Sequence, residues 1–240
     1  MNRAAAPIAC MLTCALLAAC SGPPIERRDG SSSARSFSLK ELAKRDIDSV
    51  VEIQQQALVA TLRTLTLKLY RRNPAEWRKS GFASADAATE ALFTPLLDWP
   101  QSRDKDLDWR ASLRDAWRED YTGDRVHALM QGLLVMQMAA FGHRTEFYAL
   151  SEIDAQKLYN AARNTEAIAW KLANARRPGG EPLLLSNGID AGGTPNLSFE
   201  REFGKLIGIG DALARVVEDK DNRAIRFGVV NVASMMFLPI

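Results

Sequence analysis

Apolar residues recur at helical spacing over most of the chain, and the longest such pattern comes early. Between positions 39 and 72, apolar residues follow one another at spacings of seven, four, three and four, which places them on one stripe of a helix: Val51, Leu58, Leu62, Leu65 and Leu69. No helix breaker interrupts this pattern before Asn73 and Pro74. The pattern therefore predicts one long N-terminal helix from 39 to 72.

Shorter helical segments follow, separated by glycine, proline or an N-capping residue. Residues 124–141 are apolar on nearly every side, which is typical of the central helix of a bundle. The other predicted helices cover residues 73–80, 84–93, 106–119, 151–176 and 198–219. A loop rich in glycine and proline fills 181–197, and the apolar tail at 223–240 fits a helix or a strand, of which the helix is favoured. The predicted fold class is all-α: a single-domain helical bundle with one long N-terminal helix.

The N-terminal residues follow a different pattern. Arg3 precedes a run from Ala4 to Ala19 that contains no charged residue. One positive charge before a short apolar stretch is typical of a secretory signal peptide, and a membrane-spanning helix needs about 20 apolar residues. The run ends in Leu17-Ala18-Ala19-Cys20, which resembles the lipobox of bacterial lipoproteins. The resemblance implies removal of residues 1–19 and attachment of a diacylglycerol thioether to Cys20. The alternative is an ordinary secretory signal that happens to contain cysteine.

This N-terminus predicts three parts: a signal peptide at 1–19, a lipidated flexible tether at 20–37, and a helical periplasmic domain at 38–240. Residues 21–37 are rich in Ser, Gly, Pro and charge, and as a random coil they reach about 20–25 Å. Ser21 stands where an Asp favours the inner membrane in enterobacterial lipoproteins. The resemblance therefore implies the outer membrane, facing the periplasm, and makes the membrane a partner through Cys20.

Composition excludes several classes of chemistry. Removal of Arg3 from the 31 Lys and Arg residues leaves 30, against 29 Asp and Glu, so no net field attracts nucleic acid and no nucleic-acid partner is expected. The cysteines stand at positions 10, 14 and 20, so the domain beyond the tether has no thiol for a disulfide, a nucleophile or a metal. With two histidines and no HExxH motif, we expect neither a metal site nor a cofactor.

The loop FGHRTEFY, residues 141–148, is the first candidate for chemistry. His143 and Glu146 stand close together after the central helix, and a histidine beside a carboxylate can act as an acid/base pair or as two metal ligands. Tyr148, at the end of the loop, is a candidate for ligand binding. The alternative is structural: Gly142 turns the chain, His143 and Glu146 hydrogen-bond it, and Phe147 and Tyr148 pack inward.

Polar residues on the predicted helix at 154–174 form the second candidate. Helical periodicity places Asn160, Arg163 and Asn164 on the face that points away from the core. Asparagine is a poor helix former, so this cluster fits hydrogen bonding to a polar ligand or to a loop, including the glycine-rich 186–196 segment of the same chain. The alternative is a solvated helix face.

The third candidate is a row of arginines, Arg110, Arg114 and Arg118, at i+4 spacing beside two tryptophans. Acidic residues on both sides favour internal pairing, with the arginine stems covering tryptophan. The alternative is contact with lipid headgroups or an acidic partner, which requires all three arginines to be exposed and unpaired.

Three hypotheses for function follow from these features. The favoured one is a lipid-anchored bacterial envelope protein that serves as a helical binding or scaffolding module with an envelope protein as its partner. The second is a periplasmic hydrolase using His143 and Glu146, with Asn160 and Arg163 holding a polar substrate. The third is an accessory subunit of a secretion or efflux assembly, with the arginine-bearing helix at the interface.

Overall fold

The computed structural model describes residues 46–148, 153–189, 193 and 195–221. All of them belong to one unit of the chain, Lys44–Ile240. The described part is mostly helical, which confirms the all-α prediction. Its α-helices are α1 (Asp46–Arg72), α2 (Pro74–Lys79), α3 (Ala85–Phe93), α4 (Trp109–Trp117), α5 (Arg125–Ala140), α6 (Ala155–Asn174) and α7 (Ser198–Asp221).

Short irregular elements connect these helices. Two 3₁₀ segments, Thr94–Gln101 and Arg103–Asp106, link α3 to α4, and Pro95 and Pro100 lie within the first of them. Between α6 and α7, a two-stranded antiparallel sheet pairs β1 (Gly188–Ile189) with β2 (Pro195–Asn196). This hairpin lies inside the segment predicted as a loop.

The long N-terminal helix is present as α1, which runs unbroken for 27 residues, about 40 Å at 1.5 Å per residue. The predicted start of this helix at residue 39 and the apolar tail at 223–240 lie outside the described residues. The last helix, α7, also continues without a break through Gly208 and Gly210. Side-chain oxygens of Ser84, Asp108, Asp124 and Asp154 cap the N-termini of α3, α4, α5 and α6.

The core forms around α5, as its apolar pattern predicts. Nearly every side chain of this helix is buried, and the stripe of α1 that includes Leu62, Leu65 and Leu69 is completely buried as well. Helix α1 packs against α3, α5 and α7, while α4 packs against α5 and α6 packs against α7. Burial of continuous apolar faces on several neighbours stabilises a helical domain of this size without cross-links.

Several polar side chains inside the core pair across neighbouring helices. Gln137 of α5 donates a hydrogen bond from Nε2 to Thr165 Oγ1 of α6 at 2.9 Å, and the Thr165 hydroxyl donates in turn to the Ala161 carbonyl at 2.7 Å. The Tyr70 hydroxyl donates to Asp124 Oδ2 at 3.0 Å. Because a buried polar group without a partner is costly, these bonds fix the register between neighbouring helices.

Candidate functional site

The loop after α5, which carries the predicted acid/base pair, is fastened to α1. Gly142 has φ +64° and turns the chain out of the helix. Gln55 of α1 donates from Nε2 to the Arg144 carbonyl at 2.7 Å, and Glu52 Oε1 accepts the Phe147 N–H at 2.9 Å. Phe147 itself is fully buried. These contacts give the loop a structural role in closing the bundle.

His143 lies against an aromatic ring. Its imidazole stacks on Trp99, with 6.1 Å between ring centroids and 16° between ring planes. Its Nδ1 atom is buried and has no hydrogen-bond partner among the described residues. Burial lowers the pKa of His143; the charge of Asp106 opposes this shift and those of Lys157 and Lys105 add to it. The environment therefore favours the neutral imidazole.

Glu146, the predicted partner of His143, has the Tyr148 hydroxyl as a hydrogen-bond partner. Glu146 is exposed and is not among the charges that shift the pKa of His143. A general base needs a partner within hydrogen-bond reach or one water away in a pocket. Whether His143 and Glu146 also act as an acid/base pair stays a prediction.

Asn160 and Asn164 of α6 lie inside the protein, so the prediction that they point away from the core is wrong. Asn160 is 6% exposed and Asn164 is 2% exposed. Asn160 Oδ1 accepts a hydrogen bond from Gln156 Nε2 at 3.0 Å. The physical reason is that α6 packs against α5 as well as α7, so a second face of the helix is covered in addition to its apolar face.

Arg163 is used to hold two helices together. Its Nη2 atom lies 2.8 and 2.7 Å from the two carboxylate oxygens of Asp211 on α7, and 3.1 Å from Glu166 on its own helix. The guanidinium also lies 5.1 Å from the centre of the Tyr159 ring. A half-buried arginine with these partners acts as an interhelical clamp. Whether the same cluster also binds a ligand stays a prediction.

The arginine row of α4 is paired internally, as its acidic surroundings predict. Arg114 lies 3.7 Å from Asp108, and Arg118 lies 3.4 Å from Asp115. Arg110 covers the ring of Trp109, with its guanidinium carbon 4.2 Å from the ring centre. The unpaired state that a docking role requires is therefore not met at Arg114 and Arg118.

A metal site, a membrane-spanning helix and the lipidation cysteine are three further features to place on the structure. Across the described ranges, no group of His, Cys, Asp and Glu is arranged to hold a metal ion. Within those ranges, no helix is long and apolar enough to cross a membrane. Cys20, the predicted lipidation site, lies outside the described residues.

A groove of about 510 Å³ lies between the α1–α2 junction and the chain that follows α6. Residues 72–76 and 78 form one wall, and residues 177, 181–183 and 185 form the other. We call this site the arginine groove, because Arg72, Arg78 and Arg177 all line it. Its volume is within the range of small-molecule and peptide-side-chain pockets.

The second wall of the groove is a turn held by backbone hydrogen bonds. The Arg177 N–H donates to the Glu181 carbonyl at 2.7 Å, and the Leu183 N–H donates to the Ala175 carbonyl at 3.0 Å. Asn73 fastens this wall to the first one: its Nδ2 donates to the Leu185 carbonyl and its Oδ1 accepts the Leu185 N–H, both at 2.8 Å. The two walls are therefore joined directly. Asn73 stands at the N-cap position of α2, but its side chain makes no capping hydrogen bond to that helix.

A buried charged cluster supports the first wall. Glu76 is 6% exposed; its carboxylate oxygens lie 2.8 and 2.9 Å from Lys79 Nζ, and it accepts the Arg125 N–H at 2.7 Å. The Arg125 side chain, 1% exposed, donates to four carbonyl oxygens of residues 116, 118, 119 and 121. Burial lowers the pKa of Arg125, and the positive charge of Arg177 lowers it further. The positive charge of Arg177 therefore acts on the Arg125 side chain of this cluster.

Among the described residues, the three groove arginines have no ionic partner. Arg72, Arg78 and Arg177 are exposed, and none of them forms an ion pair with a described residue. The groove also contains two carboxylates. One, Glu76, is engaged by Lys79, and the other, Glu181, is exposed and opposes the arginines. The balance of charge at the open surface is positive.

Sequence reasoning missed this groove because its walls lie about 100 positions apart in the chain. One signal was present. Two dibasic pairs stand at the ends of predicted helices: Arg71-Arg72, which Asn73 separates from Pro74, and Arg176-Arg177, directly before Pro178. Comparison of the chain with protein-family models, with curated proteins and with solved structures gives no match. The function must therefore be inferred from the residues themselves.

Proposed function

We propose that this protein is a lipid-anchored component of the bacterial cell envelope that acts by binding another envelope component through its helical domain. The lipobox-like Leu17-Ala18-Ala19-Cys20 after an uncharged run supports the anchor. The observation that carries the binding role is the arginine groove, an open site lined by three exposed arginines without ionic partners among the described residues.

Binding is favoured over catalysis by how the candidate residues are used. His143 stacks on Trp99, while Glu146 pairs with Tyr148 on the surface. Arg163 is engaged by Asp211. These side chains have structural partners, whereas the groove offers charge that an incoming ligand can neutralise.

The location follows from the same N-terminal residues. With Cys20 acylated, each buried methylene of the lipid contributes about 0.8 kcal/mol of membrane binding, and more than one acyl chain makes the attachment stable. Ser21 in place of Asp favours the outer membrane, so the domain would face the periplasm on a tether of about 20–25 Å.

The anchor is tested by feeding cells an alkyne-labelled fatty acid and comparing two cysteine variants. Cys20→Ser removes the proposed acylation site, so the purified protein is expected to carry no label. Cys14→Ser changes a cysteine six positions earlier and is expected to keep the label. Equal labelling of both variants would contradict the proposal.

A further inference from the structure

We infer that the arginine groove binds an acidic, extended polypeptide segment of a partner protein. Arginine is the residue best suited to bind carboxylates, because its planar guanidinium can form two parallel hydrogen bonds. Three such groups line one groove without an ion pair to any described residue. The inference rests on the proposed binding function and names the chemistry of its partner.

The placement of the arginines favours a ligand with several separate negative groups. Arg72 is held against the sheet, since a Cβ on Gly188 would lie 2.7 Å from its Nη2. Arg78 lies over Trp77, with its guanidinium carbon 4.6 Å from the ring centre. Arg177 belongs to the opposite wall. The three guanidinium groups therefore belong to separate parts of the groove, and carboxylates spaced along a chain match this arrangement better than one compact anion does.

Apolar surface between the charges favours a polypeptide. Pro74 and Pro182 line the groove from opposite walls, and Leu185 beside them is 46% exposed. A segment that carries acidic side chains and a few apolar ones can neutralise the arginines and cover this surface at the same time. A small inorganic anion can do only the first.

The binding test uses the full chain, purified in detergent, and a fluorescent peptide of about ten residues, most of them glutamates with a few leucines between them, which extends to about 33 Å. The reference peptide has glutamine at every glutamate position. Because the assay takes place in solution, failure of the proposed membrane anchor does not affect it. Fluorescence anisotropy gives the Kd for each peptide, and inorganic phosphate is added as a competitor.

Two double variants with the same change in charge separate a groove from a general electrostatic effect. Arg72→Ala with Arg177→Ala removes groove arginines, whereas Arg71→Ala with Arg176→Ala removes their sequence neighbours, which do not line the groove. From the energies of surface ion pairs, we expect the first double variant to weaken acidic-peptide binding about tenfold. The second is expected to change it by less than about twofold. All four positions are exposed, so both proteins should fold.

A third variant changes the charge of the groove in the opposite direction, toward more positive. Glu181→Gln removes the carboxylate that opposes the groove arginines, so it is expected to tighten binding of the acidic peptide. Equal losses in the two double variants, or equal affinity for the glutamate and glutamine peptides, would overturn the inference. Displacement of the peptide by stoichiometric phosphate would also overturn it, because it would identify a site for a single anion.

Discussion

Gly132 on α5 lies in close contact with α4, and replacing it with alanine tests the packing of the two helices. An ideal Cβ at this position would lie 2.9 Å from Leu113 Cγ, 3.0 Å from Leu113 Cδ2 and 3.0 Å from the Trp109 carbonyl oxygen. Nonbonded carbon atoms pack at about 3.5–4.0 Å. Gly132→Ala therefore requires a shift of the fully buried Leu113 or of the α4 backbone.

Two opposing effects decide the size of the change. Alanine in place of a helical glycine stabilises by about 1 kcal/mol, whereas overpacking a core costs about 1–3 kcal/mol. One of the contacts is with a backbone atom, the Trp109 carbonyl oxygen, which cannot rotate away. We therefore expect the cost of overpacking to lie in the upper half of its range, about 2–3 kcal/mol. The expected net loss is about 1–2 kcal/mol in the free energy of unfolding.

Gly204 on α7 provides the matched control. It is exposed, and no heavy atom lies within 4 Å of its ideal Cβ. Gly204→Ala therefore keeps the gain in helix propensity without the clash, and is expected to stabilise by about 0.5–1 kcal/mol. The two alanine variants should differ by about 2 kcal/mol.

Urea denaturation followed by circular dichroism measures this difference as a shift in midpoint at constant slope. A second variant checks the mechanism: adding Leu113→Ala to Gly132→Ala removes the contact with the Leu113 side chain and leaves the one with the Trp109 carbonyl oxygen. The two changes should therefore cost less together than the sum of each alone. If Gly132→Ala proves as stable as Gly204→Ala, the contact between α4 and α5 is not as the structure has it.

Two further predictions concern charged groups. Burial lowers the pKa of His143 in the folded state, so the unfolded chain binds more protons below about pH 6.5, and stability should fall as the pH drops from that value through the folded pKa. His143→Asn, which suits the left-handed backbone at φ +56°, should flatten this dependence of the melting temperature on pH. Asp211→Asn weakens the clamp on Arg163 and should cost about 1 kcal/mol, measured by urea denaturation, whereas Glu166→Gln on the exposed side should cost less than about 0.5 kcal/mol.

Each of these has a result that would count against it. An unchanged pH profile in His143→Asn would mean that another group titrates. Equal effects of Asp211→Asn and Glu166→Gln would mean that the contact between α6 and α7 contributes no more than a surface pair.

The helices could be predicted from the sequence because two local signals agree. Apolar residues at a period of 3.6 mark the buried stripe, and Ser84 and Asp124 mark helix starts that the structure confirms. The internal pairing of the α4 arginines was predictable for the same reason, since their carboxylate partners lie within a few positions in the chain.

What the sequence did not predict depends on contacts between distant segments. Periodicity identifies one buried face of α6, but it cannot show that a second helix covers Asn160 and Asn164 as well. Gly204 and Gly208 match the GxxxG motif of close helix packing, yet no heavy atom lies within 4 Å of an ideal Cβ at either position. Gly132 belongs to no such motif, and it is the glycine that packs closely against α4. The arginine groove was missed because the turn after α6 meets α2 only in the folded chain.

The central claim, a lipid on Cys20, is tested most directly by mass spectrometry of the protein purified from membranes. The account predicts a chain that begins at residue 20 and whose first residue carries a diacylglycerol thioether. An unmodified Cys20, or a chain that still begins at Met1, would contradict it.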